Sequence, residues 1–365
     1  MSNKLKALEI GDLKIVTPII QGGMGVMVST ASLASAVANY GGAGTIASIG
    51  LGFGTEENER NFVKASREGL KREISQARKL TQGVVGVNIL VAVSNYEDLV
   101  RTAVESKVDF IASGAGLPLR LPEFTNGSSI KLIPIVSSAR AADIIIRTWR
   151  KRYNRLPDAI IVEGSLAGGH LGFKSKDLKL HKENTLEVLV VDVLKVVEKW
   201  EREMNINMPV IAAGGIFDGK DVAKFLRLGV KGVQIATRFV VTYECSVADE
   251  FKRLYLEAGE NDIVIIDSPV GMPGRAIKTA FVDRIVHGER LPVKCYYRCL
   301  KTCDPKTIPY CIARVLFNAV KGDLDNAVVF AGHNVSKVNK ILSVNELMDD
   351  IVNEAIEELY KEDIL

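Results

Sequence analysis

Val210-Ile-Ala-Ala-Gly-Gly-Ile-Phe-Asp218 combines an apolar strand, a glycine turn and the start of a helix in one short stretch. Residues 210–213 are apolar throughout, as expected of a parallel strand that is buried on both faces. Two glycines follow, and Asp218 then precedes a segment with helical periodicity, where a carboxylate can cap the first turn. The stretch is the clearest copy of a unit that recurs along the chain.

Eight such strand and helix units are visible. The predicted strands cover residues 15–21, 43–47, 84–90, 110–113, 132–136, 159–162, 210–213 and 232–236. The predicted helices include residues 30–40, 56–80, 96–106, 139–153, 185–200 and 218–228. Strict alternation predicts a parallel sheet, and eight near-continuous apolar strands favour a closed (β/α)8 TIM barrel over an open doubly wound sheet. No G-x-G-x-x-G turn is present, so a Rossmann fold is not indicated.

The alternation stops after Arg238, and the chain beyond it differs in composition. Residues 268–335 are rich in glycine, proline, cysteine and basic residues. We predict a barrel over residues 1–260, an appended smaller C-terminal subdomain over 261–340, and a C-terminal helix over 341–365 that packs back on the body. That helix opens with Ser343-Val-Asn-Glu346, which is a capping-box pattern.

The overall composition is typical of a soluble globular protein. Of the 365 residues, 47% are apolar and 25% are charged, and the net charge is +3. Nucleic acids and anionic membranes select strongly basic surfaces, so neither is an expected partner. The N-terminus lacks the apolar core of a signal peptide, and no run approaches the roughly 18 apolar residues of a membrane span. We expect a cytoplasmic protein.

Glycines cluster at the ends of the predicted strands, where barrels carry their active sites. Gly214 and Gly215 follow strand seven and Thr237 follows strand eight, and the loops after these two strands commonly bind a phosphate. The alternative is that the glycines only form a tight turn. Their combination at this place favours the phosphate site.

His170 is the strongest candidate for proton chemistry. It follows strand six in a glycine turn, and Glu163 from the same strand could reach the same pocket. A histidine that titrates near neutrality suits proton abstraction, although a solvated or structural role is the plain alternative. The other histidines, at positions 181, 287 and 333, lack this setting. Residues 174–182 contain four lysines. This segment is either a solvated loop or a loop that folds over the site and attracts an anionic substrate.

Four of the five cysteines lie close together as Cys295-x3-Cys299-x3-Cys303-x7-Cys311. Four thiolates can bind zinc or an iron–sulfur cluster, but the spacing differs from the usual ligand patterns. We therefore favour free thiols, buried or redox-sensitive, and predict no metal site. An odd number of crowded cysteines does not fit a secreted disulfide framework, which favours a reducing compartment.

Five motifs occur in the order Pro18-Ile-Ile-Gln-Gly-Gly-Met24, Gly86-Val-Asn88, Glu163-Gly-x-x-Ala-Gly-Gly-His170, Ala212-Ala-Gly-Gly-Ile216 and Gln234-Ile-Ala-Thr-Arg238. Together they resemble the nitronate monooxygenase (2-nitropropane dioxygenase) family, whose relatives include the flavin-dependent enoyl-acyl-carrier-protein reductases. The resemblance covers the barrel. It implies an enzyme that binds flavin mononucleotide (FMN) without a Rossmann domain.

The resemblance also assigns site residues. Gly23 and Met24 would lie against the isoalloxazine, Asn88 would hydrogen-bond the flavin, and residues 214–215 and 234–237 would hold the phosphate. His170 matches the family's active-site histidine, which would be the base toward a neutral nitroalkane or the proton-handling group in the reductase branch. The implied cofactor-binding residues are Gly22, Gly23, Met24, Asn88, Glu163, Gly169, Ala213, Gly214, Gly215, Gln234, Ala236 and Thr237.

These residues leave the substrate open, because both branches of the family use them to bind flavin. We expect oxidation of an alkyl nitronate with dioxygen. The alternative is an NAD(P)H-dependent reductase acting on an enoyl thioester or a quinone. A hypothesis from another functional class is that the chain is a flavin-free barrel that binds a phosphorylated metabolite, or a non-catalytic synthase subunit, since barrels host many functions. The chain could assemble as a homodimer.

Overall fold

The computed structural model describes residues 4–179, 184–293, 295 and 297–361. Their strands are β1 (Leu8–Ile10), β2 (Leu13–Ile15), β3 (Ile19–Gln21), β4 (Ala43–Ala47), β5 (Val84–Leu90), β6 (Phe110–Gly114), β7 (Lys131–Val136), β8 (Ile160–Glu163), β9 (Gly169–His170), β10 (Val210–Ala213), β11 (Gly232–Ile235), β12 (Ile263–Asp267), β13 (Pro273–Ile277) and β14 (Val329–Phe330).

The α-helices surround and extend this framework. They are α1 (Ala31–Tyr40), α2 (Glu56–Arg60), α3 (Phe62–Leu80), α4 (Tyr96–Glu105), α5 (Leu121–Phe124), α6 (Ala139–Tyr153), α7 (Ser175–Lys179), α8 (Leu186–Met204), α9 (Gly219–Arg227), α10 (Thr237–Val240), α11 (Asp249–Glu257), α12 (Ala280–Val286), α13 (Ile312–Val320) and α14 (Val344–Tyr360). No helix in these described ranges is both long and apolar enough to cross a membrane.

Eight of the strands close into a parallel barrel in the order β3, β4, β5, β6, β7, β8, β10, β11 and back to β3. The closing pair joins Val233 to Ile19 in register. The predicted (β/α)8 barrel is therefore confirmed. All eight strands carry their carboxyl ends to the same rim, which is where the glycine turns of the sequence converge.

The first predicted strand, 15–21, is wrong in its extent. Residues 13–15 instead form β2, which pairs antiparallel with β1, and the barrel strand begins only at Ile19. Pro18 lies at the break; it cannot donate a ladder hydrogen bond, and its ring disfavours a continuous central strand. The β1–β2 hairpin covers the amino-terminal end of the barrel, where Leu8, Ile10 and Ile15 join the barrel interior.

The predicted helix 56–80 is two helices. Asn61 interrupts it with a non-helical backbone, and its side chain accepts a hydrogen bond from the Lys64 amide at 3.0 Å. This N-cap starts α3 and ends α2. Asparagine favours such a cap because its side chain replaces a missing backbone acceptor.

A small antiparallel sheet lies over the carboxyl-terminal rim of the barrel. Its strands β12, β13 and β14 come from the C-terminal part of the chain, but its remaining strand is β9, from the loop after β8. Gly274 on β13 pairs with His170 on β9. The C-terminal part is thus hydrogen-bonded directly to the loop that carries the candidate catalytic histidine. The domain limits given above stay a prediction.

Helix α14 lies against α9 and α1 on the outside of the barrel. The capping box is formed as predicted, since Ser343 and Glu346 each accept from the other's backbone amide. The contact with α9 is close: a Cβ on Gly219 would lie 2.3 Å from the Ala355 nitrogen. Only glycine fits at that contact.

Candidate active site

A cavity of about 240 Å³ lies at the carboxyl-terminal rim, between the barrel and the small sheet. It brings together residues from distant parts of the sequence. The predicted site residues that line it are Gly22, Gly23, Met24, Asn88, Glu163, Gly169, His170, Gly214, Gly215, Gln234, Ala236 and Thr237. Ala213 does not line it; this residue is 1% exposed and packs in the barrel interior just before the turn.

The turn after β3 is fixed by a buried hydrogen-bond network. The Gln21 side chain accepts from the Thr45 amide at 3.0 Å and donates to the Ser29 hydroxyl at 2.9 Å. Ser29 in turn accepts from the Met24 amide at 2.9 Å. These bonds hold residues 22–24 in one shape at the cavity wall. Gln21 is part of the first sequence motif but has no predicted role, and Ser29 lies outside that motif.

Gly23 lies where no side chain fits. A Cβ at this position would lie 2.3 Å from the Cβ of Asn88. The backbone of the first turn therefore packs directly on the Asn88 side chain at the end of β5. Asn88 is 8% exposed and its amide points to the Ala112 carbonyl at 3.5 Å.

Gly214 and Gly215 both adopt left-handed backbone angles, with φ of +86° and +99°. Glycine adopts these angles without the steric cost that other residues meet. The Gly215 carbonyl accepts from the Asn334 side chain at 2.7 Å, which ties the turn to the chain segment after β14. In the neighbouring loop, the Thr237 hydroxyl accepts from the Gly332 amide at 3.0 Å.

His170 is held by residues of the C-terminal part. Its Nε2 lies 2.8 Å from the Ser268 hydroxyl, and its ring meets the edge of Phe330 at a centroid distance of 4.9 Å. Burial lowers the pKa of His170 to about 4, because the low-polarity surroundings disfavour the imidazolium. The sequence had suggested titration near neutrality. The ring is instead neutral across the physiological range.

Glu163 ends β8 and faces the same cavity. Burial raises the pKa of its carboxyl group to about 7, since removal from water penalises the carboxylate. The site thus holds two titratable groups whose pKa values are moved in opposite directions. At neutral pH a neutral imidazole and a partly protonated carboxyl group share one cavity.

Arg275 stabilises the loop that connects Glu163 to His170. Arg275 is 6% exposed, and its guanidinium donates to the carbonyls of Ser165 and Ala167, the latter at 2.9 Å. The same residue pairs with Gly169 through the β13–β9 ladder. It therefore fixes the backbone that leads from Glu163 to His170. No local sequence signal marked Arg275, because its partners lie about a hundred residues away.

Of the turn after β6, Gly114 and Ala115 line the cavity and Ser113 does not. The Ser113 hydroxyl points away, to the Ile89 carbonyl and the Tyr96 hydroxyl, both at 2.9 Å. Of the remaining candidates, His287 is exposed and its Nδ1 lies 2.7 Å from the Asp283 carbonyl. His181 and Lys182 lie outside the described residues.

The cavity lies at the carboxyl ends of the barrel strands, and the small sheet that carries His170 covers it. TIM-barrel enzymes have their active sites at this end of the barrel. The chain belongs to the nitronate monooxygenase family, a family of oxidoreductases: the family model described as nitronate monooxygenase matches residues 6–106 and 76–354. The resemblance found in the motifs is confirmed.

Individual relatives differ in their named activities. A (3aS,4S,5R,7aS)-5-hydroxy-7a-methyl-1-oxo-octahydro-1H-indene-4-carboxyl-CoA dehydrogenase of Mycobacterium tuberculosis is 31% identical over 273 residues, 75% of this chain and 66% of that protein. The chain thus spans just under two thirds of that relative. A probable nitronate monooxygenase of Staphylococcus aureus is 28% identical over 313 residues, 75% of this chain and 78% of that one. The structure of FabK from Thermotoga maritima is similar with a TM-score of 0.75 at 30% identity, covering 96% of each chain.

Proposed function

We propose that the chain binds FMN in the rim cavity and oxidises alkyl nitronates with dioxygen. The observation that carries this proposal is the convergence of His170 and the glycine turns of separate strands on one cavity. Membership of the nitronate monooxygenase family supports the same reaction.

The residues present fit an FMN molecule. The left-handed turn at Gly214 and Gly215 has no side chains to block a phosphate, and it lies after strand seven of the barrel, where barrels bind phosphate groups. Gln234, Ala236 and Thr237 line the cavity from the next loop. These residues would hold the phosphate, while Gly22 to Met24 and Asn88 would contact the ring system.

Bound FMN would supply the electron acceptor that no protein side chain offers. The chain's own contribution is to orient the substrate and handle its proton. Because burial keeps His170 neutral at pH 7, its ring can accept the α-proton of a neutral nitroalkane. Ser268 and Phe330 fix the orientation of the ring.

Glu163 has a second role in this proposal. With a pKa near 7, its carboxyl group is protonated in a large fraction of molecules at neutral pH and can donate a hydrogen bond into the cavity. Such a donor would stabilise negative charge on the ligand. An ionised carboxylate at the same place would repel a nitronate.

A second candidate is oxidation or reduction of an acyl thioester. It is favoured by the named activity of the mycobacterial relative, which is a dehydrogenase of a carboxyl-CoA compound. Reduction of an enoyl thioester would take its electrons from NAD(P)H, whereas oxidation of an acyl thioester would pass electrons to an acceptor. In either direction His170 would transfer a proton to or from the carbon chain.

Steady-state assays of the purified protein separate the two candidates. We expect propyl-2-nitronate to drive dioxygen consumption without NAD(P)H. NAD(P)H oxidation that depends on an enoyl thioester, with no response to nitronate, would contradict the proposal and support the second candidate. FMN supplied in excess guards against loss of cofactor during purification.

A further inference from the structure

A short segment after β13 crosses the rim of the barrel. We call residues 330–334 the rim strap. Phe330, at its start, contacts the His170 ring. Further along, the His333 amide donates to the Leu166 carbonyl at 3.0 Å. The rim strap therefore lies across the loop that carries the candidate catalytic histidine.

The rim strap also reaches both loops of the proposed phosphate site. The Asn334 side chain donates to the Gly215 carbonyl at 2.7 Å, in the turn after β10. The Gly332 amide donates to the Thr237 hydroxyl at 3.0 Å, in the loop after β11. One segment of the C-terminal part is thus hydrogen-bonded to each side of that site.

The bond from Asn334 fixes the direction of one peptide group. The peptide bond between Gly215 and Ile216 is trans. In a planar trans peptide, the carbonyl and the amide that follows it point in opposite directions. Because Asn334 holds the Gly215 carbonyl, the Ile216 amide points away from the Asn334 side chain. Glycine has a wide choice of backbone angles, so this turn needs such a contact to keep one orientation.

The Ile216 amide is a donor without an acceptor. Ile216 is 7% exposed and lines the rim cavity. Within the described ranges of the chain, its amide donates no hydrogen bond. Buried backbone amides are nearly always paired, and amides exposed by a turn bind anions. A phosphate oxygen would supply the missing acceptor.

We propose that Asn334 is a positioning residue for the phosphate of the cofactor. It holds the Gly215 carbonyl so that the Ile216 amide is left to bind a phosphate oxygen. Gly332 assists from the other side: the Thr237 hydroxyl accepts from its amide, and the hydroxyl hydrogen can then be donated to the same phosphate. This inference rests on the proposed binding of FMN.

The test compares FMN with riboflavin, which has the same ring system and no phosphate. Dissociation constants for both are measured by quenching of flavin fluorescence. Asn334→Leu keeps the size of the side chain and removes the donor. We expect its dissociation constant for FMN to rise about three- to tenfold, as for the loss of one neutral hydrogen bond. Its dissociation constant for riboflavin should stay at the wild-type value.

Asn39→Leu is the matched control for this variant. The Asn39 side chain also donates to a backbone carbonyl, that of Leu80 at 3.1 Å, but it lies on the surface and does not line the cavity. Both flavins should bind this control as they bind the wild type.

A second variant perturbs the other side of the site. In Gly332→Ala the new Cβ would lie 2.7 Å from the Thr237 hydroxyl oxygen, while the backbone angle, φ −70°, suits alanine. We expect weaker binding of FMN and unchanged binding of riboflavin. Gly259→Ala is its control, because Gly259 has φ −87° and its added Cβ would meet only the Asp262 carboxylate at 3.4 Å.

Three results would overturn the inference. The first is a wild type that binds FMN no tighter than riboflavin. The second is an equal loss of affinity for both flavins in Asn334→Leu, and the third is no loss of FMN affinity in that variant. Should a variant fail to fold, hydrogen exchange of the wild type decides: FMN should protect the amides of Gly332 and His333 more than riboflavin does at equal occupancy, and equal protection would overturn the inference.

Inorganic phosphate separates this inference from the proposed function. Its binding is followed by phosphorus NMR. A wild type that binds phosphate but neither flavin would contradict the proposed function alone, and Asn334→Leu should then weaken the binding of phosphate. A wild type that binds neither phosphate nor flavin would overturn both.

Discussion

The two ends of the barrel differ in residue type: one is apolar and closed, and the other is rich in glycine and polar groups and surrounds a cavity. At the amino-terminal end, the β1–β2 hairpin inserts Leu8, Ile10 and Ile15, all with no exposed surface, into the barrel interior. At the carboxyl-terminal end the strands finish in glycines and in polar groups such as Glu163, which surround a cavity. One end excludes water by packing, whereas the other keeps backbone and titratable groups open to a ligand.

Because of this difference, one end of the barrel contributes mainly to stability and the other mainly to function. Apolar burial at the closed end contributes to the free energy of unfolding. At the open end, burial acts on charge instead, lowering the pKa of His170 and raising that of Glu163. Substitutions at the two ends should therefore change different quantities, and the expected effects below run from the largest to the smallest.

His170→Asn at the open end should have the largest effect. Loss of a general base lowers the rate by about 10² to 10⁴-fold, and we expect this drop in kcat/KM for neutral nitroalkanes. Turnover of preformed nitronate, which needs no proton removal, should fall much less. His287→Asn is the matched control, since that ring is exposed and bonded only to its own helix. Equal rates for His170→Asn and wild type would exclude the base role.

Ile10→Ala tests the closed end. Removing a buried isoleucine side chain costs about 2–5 kcal/mol through lost burial and the cavity left behind. Urea unfolding should show this loss, while FMN affinity and kcat of the folded enzyme stay at wild-type values. A large fall in FMN affinity would show that a substitution at the closed end also affects binding at the open end, which contradicts the proposed division between the two ends.

Gly215→Ala tests the proposed phosphate turn. The new Cβ meets a left-handed backbone, φ +99°, and the Leu166 side chain at 2.9 Å. The backbone conformation alone costs roughly 1–2 kcal/mol. Gly127→Ala is the control, because Gly127 has φ +78° with no atom within 4 Å of an added Cβ.

Both glycine variants should lose stability in thermal unfolding, Gly215→Ala by more because of its contact with Leu166, but only Gly215→Ala should lose affinity for the cofactor. For Gly215→Ala we expect the FMN dissociation constant to rise by roughly tenfold or more, which corresponds to about 1.4 kcal/mol. An unchanged dissociation constant would show that the phosphate does not bind at this turn.

Acid should destabilise the open end through His170. Its pKa falls from 6.5 in the unfolded chain to about 4 in the folded one. The unfolded state therefore binds the proton first, and the free energy of unfolding drops as the pH falls through that window. Glu163 acts in the opposite sense, because its pKa rises from 4.5 to about 7 and its contribution is lost as the pH rises between those values.

Urea titrations of the apoprotein at pH 7 and pH 5 measure the histidine contribution. His170→Gln should lose less stability than wild type on acidification. An equal loss would mean that other groups dominate the acid response.

Ser268→Ala should have the smallest effect. One neutral hydrogen bond contributes about 0.5–1.5 kcal/mol, so we expect kcat for neutral nitroalkanes to fall about three- to tenfold. Because the Ser268 hydroxyl contacts Nε2 of His170, the acid limb of the pH–rate profile should shift as well. A purely structural role would lower stability and leave the profile in place.

The sequence predicted the barrel and the barrel side of the cavity, because strand periodicity and strand-end glycines are local signals. It misplaced the first strand, where Pro18 separates β2 from β3. It did not find Ser268, Arg275 or Asn334, because their partners lie about a hundred residues away in the sequence. Ser268 contacts His170, Arg275 bonds the loop before His170, and Asn334 bonds the turn at Gly215. It also missed the lowered pKa of His170, which depends on burial by those same segments.

The most direct test of the central claim is an anaerobic titration of the FMN-reconstituted protein with propyl-2-nitronate, followed through the visible flavin band. We predict that nitronate alone bleaches the band or gives a semiquinone, and that dioxygen then restores the oxidised spectrum. A chain that retains no flavin after reconstitution, or a flavin that responds only to NAD(P)H, would contradict the account.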